Sequence, residues 1–304
     1  VRLAFQSDSE DPARWKAALE AAIPDLDFRI WPDIGDPANI DVLLAYRLPP
    51  ELHRLTGLKL LQLISAGTDQ LEGTDGLPPG VPVARLVEPG QIAGMVEFVL
   101  QAVLHYHRDF HRYRVQQADR VWLEHARVAA SERTVGIMGL GALGTPAARA
   151  IGALGFGVSG WTRRSRGTAW MPVFTGRDAL PAFLARNDIV VALLPLTNDT
   201  IGLFDDAFFS AMRRGSCFIN VGRGAQLDPA ALIRVLERGH LGGATLDVLP
   251  DEPPRRDDPI WDAPNLILTP HTATSPNPES AALVIAESLT RIAGGQAPLN
   301  AVAP

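Results

Sequence analysis

The segment Thr134-Val135-Gly136-Ile137-Met138-Gly139-Leu140-Gly141-Ala142-Leu143-Gly144 constrains this chain more than any other. A β-branched apolar strand runs straight into glycines spaced G-x-G-x-x-G, the arrangement that sets a dinucleotide pyrophosphate against bare backbone. Gly139 allows the tight turn, Gly141 lets the main chain approach the phosphates, and Gly144 lets the following helix pack close to the strand. The helix opening here turns unpaired N–H groups and the positive end of its dipole toward an anion. Leu140, Ala142 and Leu143 complete the cofactor-contacting run. Pro146 fits such a helix only in its first turn, where its missing N–H would have gone unpaired anyway.

A G-x-G-x-x-G in a glycine-rich chain is also found in ordinary loops, so its context matters. Here a second strand, Gly157-Val158-Ser159-Gly160-Trp161-Thr162, follows after a helical stretch suited to a βαβ crossover. NAD-binding folds usually end that strand in an acid that accepts from the ribose hydroxyls. Thr162-Arg163-Arg164-Ser165-Arg166 offers hydroxyls and cations instead, and guanidinium forks grip a 2′-phosphate that a carboxylate would repel. Trp161, Thr162, Arg163 and Arg164 are thus expected to contact the cofactor, and NADPH is expected over NADH. A merely solvated basic turn is the alternative.

At 304 residues, 46% hydrophobic and 20% charged, the chain has room for two domains, each with its own core. Its formal charge of −6 speaks against general nucleic-acid affinity. The basic stretch from His105 to Arg127 is interrupted by Asp109, Asp119 and Glu124, and reads as a solvated or subunit-facing helix. Cys217 is the sole cysteine, which excludes an internal disulfide and a multi-cysteine metal site, and no metal is expected. Lying in the apolar run Cys217-Phe218-Ile219-Asn220, it reads as a small core residue. No apolar run is long enough for a membrane span, and Val1–Phe5 reads as a strand and not a leader; the expected location is the cytoplasm.

Strand-like runs alternate with amphipathic stretches from end to end, the pattern of an α/β fold with parallel sheets. Strands are expected near Leu3–Gln6, Phe28–Trp31, Val42–Tyr46, Leu60–Ile64 and Val83–Val87, with a helix over Pro12–Ile23. A long helix is expected from about Gln91 to Gln117, with Met95, Phe98, Val99, Ala102 and Val103 on one face, serving as a bridge between domains. The near-continuous apolar run Asp188–Pro195 suits a strand covered on both faces. Asp228-Pro229 opens a helix as cap and first residue, and Gly239 closes it.

Three residues stand where chemistry is expected. Ligands of open α/β sheets bind at the carboxyl ends of the strands. Arg223, in Asn220-Val221-Gly222-Arg223-Gly224, follows one such strand; Glu252 follows Leu246-Asp247-Val248; His271 follows Leu268-Thr269-Pro270. The last two strands are both expected to be buried. Reduction of a ketone needs a hydride donor, an electrophile on the carbonyl oxygen and an acid to protonate it. Arg223 can hold a carboxylate and polarise the neighbouring carbonyl. A histidine paired with a carboxylate is fixed in orientation and raised in pKa, so Glu252 and His271 suit the acid role.

Together these motifs resemble the D-isomer-specific 2-hydroxyacid dehydrogenase family, over nearly the whole chain and in the family's order. Tyr113–Gln117 and the strand ends at Trp161-Thr162-Arg163 and Leu193-Leu194-Pro195 resemble its glyoxylate/hydroxypyruvate reductase A branch. The resemblance implies two Rossmann/flavodoxin-like, doubly wound parallel-sheet domains with a cleft between them, 1–98 plus 275–304 for substrate and 99–274 for the dinucleotide. It implies NADPH-dependent reduction of a small 2-oxo acid to the D-2-hydroxy acid, with Arg223 binding the substrate, His271 donating the proton and Glu252 paired with it. Ala66 and Gly67, in Ser65-Ala66-Gly67-Thr68-Asp69, would cradle the substrate carboxylate through backbone N–H groups. Leu194, Pro195, Val221, Gly222 and Asp247, with Arg223 and His271, would line the cofactor. A homodimer is implied, with the segment near Trp122 reaching across the partner, and Tyr46, Arg47, Met95 and Trp122 are candidates for the pocket wall.

Two features depart from the pattern. Gly222 replaces the usual Ala or Ser, which is expected to loosen the arginine loop, and Asn300–Pro304 lacks the basic tail ending in tyrosine. The rival readings are another 2-oxo acid, the formate and phosphoglycerate dehydrogenases of the same fold, and a non-enzymatic NAD(P) sensor. An intact Arg223, Glu252 and His271 favour turnover.

Overall fold

A computed structural model describes residues 1–71, 75–164 and 168–302. Ser165 and Arg166 of the basic turn, and Ala303 and Pro304 of the C-terminal departure, lie outside the described residues. The chain forms two compact units, Val1–Gln91 with Ser275–Pro304, and Ile92–Thr274.

The first unit holds five parallel strands, β1 (Arg2–Gln6), β2 (Asp27–Ile30), β3 (Val42–Ala45), β4 (Leu60–Leu63) and β5 (Val83–Ala84), in the order β2-β1-β3-β4-β5. This is the flavodoxin-like order, in which the chain reverses direction across the sheet beside β1. Both β3 and β4 are buried along their whole length, as a sheet covered on both faces demands. One face packs Phe5, Trp15, Leu19 and Leu44 against Ala281, Ala282 and Ile285; the other packs Leu43, Leu61 and Leu63 against Ile34, Ile40 and Leu55. The first of these faces is built by α1 (Pro12–Ala22) and the late helix α8 (Pro278–Ala293). Each starts on an Asx cap before a proline: Asp11 accepts from Ala13 N at 2.9 Å and Asn277 from Ser280 N at 3.0 Å.

The second unit holds seven parallel strands, β6 (Thr134–Met138), β7 (Gly157–Thr162), β8 (Val173–Thr175), β9 (Ile189–Ala192), β10 (Cys217–Asn220), β11 (Gly243–Leu246) and β12 (Leu266–Leu268). Their order is β12-β11-β10-β9-β6-β7-β8, with the direction of winding reversing between β6 and β9. Such a reversal opens a crevice at the carboxyl ends of the strands, where open α/β sheets take their ligands. One face of the sheet is filled by Phe183, Phe204, Phe208, Phe209 and Phe218, and the other by Val99, Val103, Ile137, Ile151 and Ile219. Cys217 belongs to the second cluster, and burial pushes its thiol up to about 12, as suits a core residue.

Three local expectations are corrected. The single helix from Gln91 to Gln117 is two, α2 (Pro89–His107) and α3 (Phe110–Ala118), broken at Asp109 with φ +57°. A left-handed residue cannot continue a right-handed helix, and Asp tolerates that conformation better than most. β5 ends at Ala84 and not at Val87, because Arg85 N turns to the Asn300 carbonyl at 3.2 Å. β12 is half-buried and not buried, because it is the edge of its sheet and lacks a neighbour on one side. After α5 (Leu180–Arg186) and α6 (Asp206–Ala211), the helix opened by Asp228 is α7 (Pro229–Glu237), whose cap carboxylate accepts from Ala230 N and Ala231 N at 2.9 and 3.2 Å. Among the described residues no helix is long and apolar enough to cross a membrane.

Candidate active site

The glycine loop joins β6 to α4 (Gly144–Ala153), and each glycine has its own physical requirement. Gly139 sits at φ +98°, and a Cβ there would stand 2.5 Å from the Leu193 carbonyl oxygen. A Cβ on Gly144 would run into the Gly139 carbonyl oxygen, so this residue sets how tightly the helix folds back on the turn. Apart from its own chain neighbours, no atom of the described residues lies within 4 Å of the place a Cβ on Gly141 would take. The backbone is bare on that side, as a cradle for pyrophosphate must be. Leu140 is 7% exposed and packs over Gly160 of β7, which locks the loop to the neighbouring strand. Pro146 is the third residue of α4, inside the turn where its missing N–H costs nothing.

At the end of β7, Trp161 does something other than expected. Its indole is 3% exposed and its Nε1 donates to the Gly176 carbonyl at 3.0 Å, so the side chain belongs to the core and fixes β7 against β8. Thr162 Oγ1 donates to the Arg164 carbonyl at 2.8 Å and shapes the turn that follows. Arg163 and Arg164 are exposed there, and Arg163 Nη1 reaches Asp199 Oδ2 at 2.6 Å.

The Arg223 loop leaves β10 and is held rather than loose. Gly222 N donates to Asn220 Oδ1 at 3.0 Å, and Gln226 Nε2 donates to the Leu194 and Pro195 carbonyls at 3.3 and 2.9 Å. Asn220 and Gln226 are both 0% exposed, which makes them rigid internal braces. A Cβ on Gly222 would stand 3.0 Å from both Gln226 Oε1 and the Leu194 carbonyl oxygen. The glycine therefore tightens the loop against Leu194, contrary to the expectation that it loosens it. Val221 is buried and donates its N–H to the Ala192 carbonyl at 3.1 Å. The half-buried Arg223 turns Nη1 back to the Gly222 carbonyl at 2.9 Å.

Gly224 lies flush against the Leu249 carbonyl, where a Cβ would collide. That contact sets the arginine loop on the turn carrying Glu252, whose Oε1 accepts from Leu249 N at 2.9 Å. Its other oxygen, Oε2, lies 2.8 Å from His271 Nδ1. With one carboxylate oxygen held by the backbone and the other by the ring, the imidazole has a fixed plane and its Nε2 is left pointing away from the pair. His271 itself has φ +54°, an uncommon conformation that a histidine tolerates better than most residues. Its N–H donates to the Asp247 and Thr269 carbonyls at 2.9 and 3.0 Å.

Asp247 is the organiser of this turn. Only 2% exposed, its carboxylate accepts from Thr269 Oγ1 at 2.6 Å, Thr272 N at 2.8 Å and Ala273 N at 2.9 Å. Three donors from both sides of His271 thus converge on one buried acid. The sequence marks Asp247 only as a cofactor neighbour, and gives Asn220 and Gln226 no role. Polar residues in apolar strand ends and a glutamine three residues past the arginine are the signals that could have found them.

The electrostatics follow from the geometry. The Glu252 hydrogen bond raises the His271 pKa above its ordinary 6.5, with burial opposing it, the Glu252 charge adding to it, and the nearby Arg223 charge working against it. For Glu252 burial works upward, yet the hydrogen bonds from His271 and Leu249 N leave its pKa below the ordinary 4.5. A function that needs protonated imidazole beside carboxylate is then at full strength between those ordinary values. It fades as pH rises through the raised His271 value, and as pH falls through the lowered Glu252 value. Glu252→Gln should shift the alkaline limb of the pH–rate profile to lower pH; a limb that stays in place would show that this pair does not set it.

In the first unit, Ala66 and Gly67 lie at the carboxyl end of β4 in a loop tied by side-chain hydrogen bonds. Ser65 Oγ donates to the Gly67 carbonyl at 2.8 Å, Gln70 Nε2 to Ser65 Oγ at 2.7 Å, and Arg85 Nη1 to the Ala66 carbonyl at 3.1 Å. Of the four pocket-wall candidates, Met95 is buried in the core of the second unit, while Tyr46, Arg47 and Trp122 are exposed.

Comparison with known proteins identifies the family. Residues 100–273 match the NAD binding domain of the D-isomer specific 2-hydroxyacid dehydrogenases. The glyoxylate/hydroxypyruvate reductase A of Serratia proteamaculans is 34% identical over 95% of this chain and 94% of its own. A D-isomer specific 2-hydroxyacid dehydrogenase from Xanthobacter autotrophicus, solved with NADPH and MES, is 40% identical with a TM-score of 0.95, covering 100% of this chain and 98% of that one. The NADPH-dependent glyoxylate/hydroxypyruvate reductase of Sinorhizobium meliloti, solved with NADP and sulfate, is 33% identical with a TM-score of 0.91 over 99% and 98% of the two chains.

Proposed function

Because the chain belongs to the D-isomer specific 2-hydroxyacid dehydrogenase family, we propose that it reduces a small 2-oxo acid of the glyoxylate or hydroxypyruvate type to the D-2-hydroxy acid with NADPH. The observation that carries this reading is the 2.8 Å pairing of His271 with Glu252 at the carboxyl end of a dinucleotide-type sheet. The open face at Gly141 and the cations Arg163 and Arg164 support NADPH as the fitting cofactor. When bound there, NADPH supplies the hydride.

The protein's own residues do the rest. Arg223 holds the substrate carboxylate and polarises the C2 carbonyl. His271, kept protonated by Glu252, gives its proton to the carbonyl oxygen as C2 receives hydride, and the pair is left neutral at the ring. Asp247 fixes the turn on which His271 stands, while Leu194, Pro195 and Val221 border the cofactor site. Reduction should be seen as NADPH oxidation with glyoxylate and hydroxypyruvate, tested beside pyruvate and phenylpyruvate. A KM for NADPH at least about tenfold below that for NADH is expected from one or two charge-assisted contacts to the 2′-phosphate. Equal or better use of NADH would defeat the cofactor assignment, and no oxidation with any of the four acids would defeat the reaction.

The working form is a homodimer in this reading. Phe110, Val115, Val121, Trp122 and Leu123 are exposed apolar residues on α3 and the segment after it, which folds back so that Gln116 Nε2 reaches the Leu123 carbonyl at 3.1 Å. A held, apolar, solvent-facing segment of this kind suits a second copy of the chain. Sedimentation at micromolar concentration should show a dimer that Trp122→Asp weakens; a monomer at all concentrations would rule it out.

A further inference from the structure

The acid that NAD-binding folds carry at the end of their second strand is missing from β7, yet a carboxylate stands beside the cations that replace it. Asp199, in the loop after β9, meets Arg163 Nη1 at 2.6 Å through Oδ2. A second cation comes to the same residue from the turn after β8: Arg177 Nη2 donates to the Asp199 carbonyl oxygen at 3.1 Å and lies 3.9 Å from Oδ1. Two strands therefore each send one guanidinium to a single anionic side chain.

Both attachments are anchored. Gly176 N donates to the Thr162 carbonyl at 3.0 Å, which holds the start of the Arg177 turn against the end of β7. The Asp199 turn is fixed by the buried Thr200, whose Oγ1 accepts from Thr197 N at 2.8 Å and donates to the Pro195 carbonyl at 2.9 Å. All three charged side chains are well exposed, between 49% and 72%, so none is needed for the core. Exposed pairs of this kind add little stability. A dianionic phosphate offers more acceptor oxygens and more charge than one carboxylate, so it can take the two forks over.

We propose that Arg163 and Arg177 form a two-arginine clip for the 2′-phosphate of NADPH, and that Asp199 occupies this clip and so sets the ratio of NADPH to NADH use. This inference rests on the NADPH reading above and extends it to two residues. Asp199 stands in for the phosphate before the cofactor arrives, neutralising two cations that would otherwise repel each other. NADPH must displace it and tolerate its charge nearby; NADH, with a bare 2′-hydroxyl, need not. Within such distances screening at physiological salt is incomplete, since the Debye length is about 8 Å.

The test is titration of NADP⁺ and NAD⁺ against the full-length protein, followed by calorimetry. Asp199→Asn should raise the ratio of NADP⁺ to NAD⁺ affinity by about 3- to 10-fold, through tighter NADP⁺ binding, and the gain should shrink in high salt. Arg177→Gln should lower the ratio by about tenfold or more, as loss of a charge-assisted contact requires. An unchanged or lowered ratio in Asp199→Asn would overturn the role of Asp199, and an unchanged ratio in Arg177→Gln would overturn the clip. If the unaltered protein binds NAD⁺ as tightly as NADP⁺, the NADPH reading itself fails; a clear preference that neither variant moves leaves that reading standing and removes only this inference.

Discussion

His271→Asn is expected to lower turnover in the reductive direction by about 10²- to 10⁴-fold while leaving NADPH binding in place. Asparagine is the informative replacement because it tolerates the left-handed backbone that His271 adopts at φ +54°. The hydrogen bonds from the residue-271 N–H to the Asp247 and Thr269 carbonyls can then persist, and the turn keeps its shape. What disappears is a proton donor whose charged form Glu252 stabilises. Single-turnover oxidation of NADPH with glyoxylate, beside an NADPH binding titration, separates chemistry from binding. Turnover within about tenfold of the unaltered enzyme would remove His271 from the acid role.

Glu88→Gln is expected to lower the stability of the first unit by about 2–5 kcal/mol, the cost of leaving buried donors facing another donor. Glu88 is 1% exposed and accepts from Gly90 N at 2.5 Å, Gln91 N at 2.6 Å, Asn277 N at 3.1 Å and Ser280 Oγ at 2.5 Å. One carboxylate thus caps the first turn of α2 and braces the start of α8, taking the positive ends of two helix dipoles. An amide keeps one acceptor oxygen and turns an NH₂ toward the remaining N–H groups. These helix starts flank the two points where the chain passes between units, Gln91 to Ile92 and Thr274 to Ser275. Thermal unfolding should start lower by roughly 5–15 °C, and amide exchange should quicken at residues 90–91 and 277–280 together. A melting temperature within a degree of the original, or faster exchange at only one of the two segments, would show that the two helices do not share this cap.

Much of this protein can be read in the chain because the relevant interactions are local. The glycine loop is legible since each glycine answers a backbone need within a few residues, and β7 and β10 end where their apolar runs end. Asp228-Pro229 announces α7 because a cap and its first turn are neighbours in sequence. Arg223, Glu252 and His271 are ordinary when taken singly and become legible through their conjunction, each following a strand after a dinucleotide loop. The break at Asp109 is less legible, because the apolar pattern of α2 gives no sign of a single left-handed residue after it.

What the sequence by itself determined is most of the parallel strands, though not β8, the dinucleotide turn and the candidacy of Arg223, Glu252 and His271, all consequences of periodicity and short-range backbone geometry. Only the tertiary structure decided how those side chains are held: that Glu252 meets the His271 ring, that Asp247 gathers three donors around it, that Gln226 braces the arginine loop, and that Asp199 occupies two arginines from different strands. Each of these joins residues on separate loops. Such contacts depend on which strands lie side by side and on how each turn aims its side chain, and neither is encoded in the spacing of residues along one segment.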